Sequence, residues 1–247
     1  MTVVADAPTA LEPVAAGAPT TEEAARKLAA QWAKEQAARL TQRARAYQAS
    51  KNGQSNGNGG IQPHIGAPTT YEPNGTPYVS FDVTATSPVQ FTGNPPYLPS
   101  KIIAAGDFAF LVAYIWANPF SDPAAGWTVP ANVQLGGLPW RMTLDQANLT
   151  TGTNMPVEVA TGIVPGPADP ITPVFFLLPT TPGPAQGGDP WLIEANITVY
   201  VDVPAKPYAA FGTKFIDIDN DPGFPFFPPV SAGWRYELPN RYLIFNS

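Results

Sequence analysis

The sequence predicts an all-β protein, an antiparallel β-sandwich or jelly-roll-like body preceded by one N-terminal α-helix on a flexible linker. Three observations predict it. Residues 21–52 contain neither Pro nor Gly and are dominated by Ala, Gln, Glu, Lys and Arg, all strong helix formers. Beyond them proline becomes frequent, with 28 of the 31 prolines falling between Pro63 and Pro239. Between those prolines, short apolar runs alternate with a period of two, the signature of strands with one buried face.

The chain divides by composition into four zones. Residues 1–20 are Ala-, Pro- and Thr-rich without periodicity and read as a disordered leader. Residues 21–52 form the basic helix. Thr20 or Thr21 can cap it, and Glu22 and Glu23 sit where the helix dipole favours carboxylates. Residues 53–62, rich in Gly and Asn, offer almost nothing to bury and read as a flexible linker. Residues 63–247 form the β-sandwich domain. The helix zone holds seven basic and three acidic residues, whereas the chain from Gly53 onward holds six basic and fourteen acidic ones. A basic helix therefore precedes an acidic body.

Within the body, Tyr78–Thr86 places Val79, Phe81, Val83 and Ala85 on one face. Trp191–Val203 is the cleanest strand, with Trp191, Ile193, Ala195, Ile197, Val199, Val201 and Val203 alternating against Glu194, Asn196, Thr198 and Asp202. Phe108–Ala117 is apolar on both faces, which predicts a central strand covered twice. Shorter candidates are Trp140–Leu144, Val157–Val164, Val174–Leu178, Phe211–Ile218, Trp234–Leu238 and Tyr242–Phe245. Turns such as Thr181-Pro-Gly-Pro184 separate them. The body has no Pro-free segment with helical periodicity to serve as a crossover, which argues against a parallel α/β sheet.

Composition excludes several kinds of chemistry. With no cysteine, disulfides, thiolate zinc sites and cysteine nucleophiles are impossible. The single histidine, His64, lies beside the Gly- and Asn-rich linker, a poor place for a base that must be held rigidly. No basic and apolar Sec-type signal opens the chain, and no apolar run is long enough for a membrane span. The expectation is a cytoplasmic protein or a component of an assembly. No glycine-rich phosphate-binding motif appears.

Four groups carry candidate chemistry. Asp217, Asp219 and Asp221 alternate just before a Pro-Gly turn and could converge on calcium, although the spacing departs from an EF-hand loop. Calcium is the one cofactor the sequence suggests. Phe224, Phe226 and Phe227, set among prolines, form either an exposed recognition patch or a lid on the end of the sandwich. Trp127, the tryptophan expected in a loop, invites a glycan reading, since sugar rings stack on flat aromatics. On the helix, Leu28, Trp32 and Leu40 form a thin apolar stripe among alanines, suited to close packing against another helix.

Glu158, Glu194 and Glu237 leave a carboxylate pair for glycoside hydrolysis open, but no spacing selects one. Charge dilution by three Glu on the helix disfavours nucleic acid as a partner. The reading that results is a non-enzymatic structural or interaction protein, whose helix docks into an assembly of like subunits or onto a partner protein. The alternative is a sandwich that binds carbohydrate or calcium, and a weaker third reading is a carboxylate-based glycosidase.

Overall fold

A computed structural model describes residues 19–52, 81–92, 95–117, 131–166, 169, 171–178, 183–202, 208–211 and 240–246. Among them the chain is mostly strands in two sheets, with one long N-terminal helix.

Helix α1 spans Glu22–Asn52. Thr21 caps it, its Oγ1 accepting from the Ala24 amide at 3.2 Å. Glu22 pairs with Arg26 at 2.7 Å, an exposed i,i+4 pair that adds only a few tenths of a kcal/mol. The sheet strands are β1 (Phe81–Ala85), β2 (Val89–Gln90), β3 (Ile102–Ala104), β4 (Ala109–Ala117), β5 (Pro139–Asn148), β6 (Thr153–Asn154), β7 (Glu158–Ile163), β8 (Ile171–Leu178), β9 (Trp191–Val201), β10 (Tyr208–Phe211) and β11 (Asn240–Phe245). A short helix α2, Ala131–Leu135, precedes β5.

In the first sheet β4 is central, with β1 and β2 along one side and β8 along the other. The second sheet runs β3-β11-β9-β5, with β10 also on β9, and with β6 and β7 sharing the far side of β5. All pairs are antiparallel except β3 with β11, which is parallel. That pair departs from the all-antiparallel expectation. Two same-direction strands need a long connection between them, and more than a hundred residues separate Ala104 from Asn240 in the chain.

One buried cluster joins a face of each sheet. Leu111, Ala113 and Ile115 of β4 and Phe176 of β8 meet Met142 and Leu144 of β5 and Ile193, Ile197 and Val199 of β9. The alternation read in Trp191–Val203 is present, with residues 193, 195, 197, 199 and 201 buried and Trp191 half-buried. Gln90 ties the sheets at one side. Its side-chain amide exchanges two 2.9 Å hydrogen bonds with the Ala104 backbone, so β2 of one sheet holds β3 of the other.

β4 is covered twice, as its two apolar faces require. Its second face, Phe110, Val112 and Tyr114, is covered by helix α1. Two rows four residues apart make the contact: Ala25, Ala29, Ala33 and Ala37, and beside them Leu28, Trp32, Gln36 and Leu40. Alanine at every fourth position lets the helix lie close to the sheet. The stripe read as a surface for another helix thus packs on a sheet of its own chain. Trp32 anchors it, donating from Nε1 to the Tyr97 carbonyl at 3.1 Å. The Phe91 ring fills the space beneath, edge-on to Tyr97 at 5.0 Å and tilted on Phe110 at 5.7 Å.

Candidate functional site

The two sheets differ in how their outer faces are finished. The first carries α1. On the second, Val159 and Ile163 of β7 and Tyr200 of β9 point outward and stay about half exposed, at 50%, 57% and 47%. Cross-strand register sets them side by side. Thr161, Arg141 and Tyr200 form one row across β7, β5 and β9, and Ile163 faces Pro139 in the next. Among these side chains lies a shallow hollow of about 760 Å³, bordered by Asp202 at the strand end. An apolar floor carrying one guanidinium, one phenol and one carboxylate can hold a polar ring by stacking and hydrogen bonding, or can meet a protein surface.

The inner side of β7 explains why its apolar residues face out. Trp140 of β5 lies over Gly162, and a Cβ at Gly162 would come within 2.6 Å of the indole Cζ2. The indole leaves no room for a side chain at 162, and the other inward positions of that strand hold Ala160 and, at its start, Glu158. Its Val and Ile therefore occupy the solvent side, reversing the usual alternation.

A second groove, about 680 Å³, runs between α1 and β8, walled by the methyls of Ala30, Ala33 and Ala37 and floored by Ile171, Pro173 and Phe175. Lys34 and Asp169 stand at its rim.

Of the residues the sequence singled out, Trp32 and Leu40 are buried under α1 and Leu28 is half-buried there. Trp127, Asp217, Asp219, Asp221, Phe224, Phe226, Phe227, His64 and Glu237 lie outside the described residues. So do the strand candidates Trp234–Leu238 and all but Phe211 of Phe211–Ile218. Among the described residues, no group of three or more His, Asp or Glu gathers as metal ligands. No helix among them is long and apolar enough to cross a membrane.

Of the three candidate glutamates, the two that lie among the described residues, Glu158 and Glu194, do not face one another. Glu158 pairs with inward-facing Leu144 and turns inward at the sheet edge, where burial raises its pKa, Arg26 lowers it and Glu22 raises it. Glu194 lies on the outer face, where its Oε2 accepts from Arg241 at 2.9 Å. Carboxylates on opposite faces of one sheet cannot flank a single glycosidic bond.

Arg141, Tyr200, Val159 and Ile163 were not singled out in the sequence. The signal available for β7 was the reversed size of its alternating residues; for Tyr200 it was a large aromatic in the polar register of β9. The chain matches no protein-family model and no curated protein sequence.

Proposed function

We propose that this is a non-enzymatic structural or interaction protein. Its body is a β-sandwich of the jelly-roll kind, closed on one side by its own helix and open to a partner protein on the other. The observation that carries the reading is the outer face of the second sheet, which no described element covers and where Val159, Ile163 and Tyr200 stay half exposed while the opposite sheet is capped. Large apolar side chains grouped on one exposed face mark association surfaces on soluble domains. The basic outer side of α1, with Lys27 and Lys34, offers a further contact within an assembly.

Affinity capture with the full chain tests the reading, with wild type compared against Tyr200→Lys. A protein retained by wild type and lost at least about tenfold on the variant supports it, since a central aromatic carries much of an interface's energy. Retention of no protein overturns it.

A second reading, carbohydrate binding, is favoured by the hollow where Tyr200, Arg141 and Asp202 converge. A glycan array separates the two. Saccharide binding lost in both Tyr200→Ser and Arg141→Ala, without protein capture, selects the second.

A further inference from the structure

We infer that one partner of this protein is a second copy of the chain, joined edge to edge through β7. The inference rests on the interaction reading above and adds a self-contact beside the open face. β7 lies at the edge of its sheet, pairing with β5 alone among the described residues. Sheet edges are normally blunted by proline, lysine, bulges or shortness. The other edges show such devices or a neighbour. β8 carries Pro173 and borders α1, β1 meets β10 of the other sheet more extensively than β7 meets β8, and β2, β3 and β6 are only two or three residues long. The segment Val159–Ile163 has neither Pro nor Lys, and its outward row is Val159, Thr161 and Ile163.

That row is self-complementary. A two-fold axis perpendicular to the sheet keeps both outer faces on the same side, so residues paired across the axis must share a face. Centred on Thr161, it sets Thr161 against its own copy, Val159 against Ile163 of the second copy, and Ala160 against Gly162. Apolar meets apolar, hydroxyl meets hydroxyl, and small meets small. No charge stands within the ladder, since Glu158 lies one residue outside it and turns inward. Pairing this edge and covering Val157, Val159 and Ile163 buries on the order of 800–1,000 Å² in total, the low end for a specific interface. The dimer is therefore weak and concentration-dependent. Each copy carries a net charge of −6, so added salt strengthens it by screening their repulsion.

The absence of cysteine makes the register directly testable. Single-cysteine variants of the full chain are oxidised mildly, and disulfide dimers are followed with time. Thr161→Cys is expected to cross-link at least about tenfold faster than Asn196→Cys, an exposed outer-face control, because the axis holds its two thiols at high effective concentration. Val159→Cys mixed with Ile163→Cys is expected to cross-link faster than either alone. In light scattering of the cysteine-free chain, the dimer fraction rises with concentration and salt, and Thr161→Lys abolishes it without changing the melt.

A monomer at every concentration, with Thr161→Cys no faster than the control, overturns the self-pairing. A dimer that survives Thr161→Lys overturns it as well, by placing the contact elsewhere. Neither result touches capture of a different protein by wild type and its loss on Tyr200→Lys, which tests the interaction reading separately.

Discussion

The indole of Trp140 occupies the volume that a side chain at residue 162 would need. Gly162 pairs with Trp140 across β5 and β7, and an added Cβ would stand 2.6 Å from Cζ2 and 2.8 Å from Cε2. The pairing couples core to surface. A large aromatic inside admits only glycine at 162, while the larger apolar residues of β7 lie on its solvent side.

Gly162→Ala is accordingly expected to cost about 1–3 kcal/mol, the usual range for overpacking a filled site. Trp140 is only 7% exposed, so its ring has little room to move aside. Urea denaturation of Gly162→Ala, Trp140→Phe and the double variant checks it. The smaller ring makes room for the methyl, so the double variant should be more stable than the sum of the two losses predicts.

The helix seat gives a second prediction. Trp32→Ala removes a buried ring and its hydrogen bond to Tyr97 and should cost about 3–5 kcal/mol. Trp32→Phe keeps most of the packing and should lose about 1–2 kcal/mol. Ala33 is fully buried against the sheet, so Ala33→Leu should lift the helix and cost about 1–3 kcal/mol. Ala38 is exposed, and Ala38→Leu should stay within about 0.5 kcal/mol of wild type. Chemical denaturation followed by tryptophan fluorescence and far-UV circular dichroism reads all four.

Glu158 gives a pH dependence whose sign is fixed by its burial. Its folded pKa is raised above the unfolded value, chiefly by desolvation, so the folded state holds the proton more tightly. Stability is then lost as pH rises from the ordinary carboxylate range through the raised folded pKa, and the loss is complete above it. Glu158→Gln carries no titrating proton. Relative to wild type it should gain stability at neutral pH and lose that advantage in acid. Melting temperatures of both proteins from pH 4 to pH 8 check the difference.

Much of the architecture follows from the sequence by itself. The start of α1 is written in Thr21, Glu22 and the Pro-free run after them, because capping and propensity act within one turn. The inner face of β9 is written in its alternation, because a strand's side chains change sides at every residue. The two apolar faces of Phe108–Ala117 required two covers for that strand, whatever supplied them. Tertiary structure alone decided that the second cover is α1, since an Ala- and Trp32-bearing stripe can seat on a sheet as well as on a helix. It also decided the short strands β2, β3 and β6, whose two or three residues carry no period and form only where a neighbouring strand supplies the ladder. The exposed face of β7 belongs to the same class. Val159 and Ile163 would read as core by hydropathy, and they face solvent because Trp140, in another strand, fills the volume on the inner side.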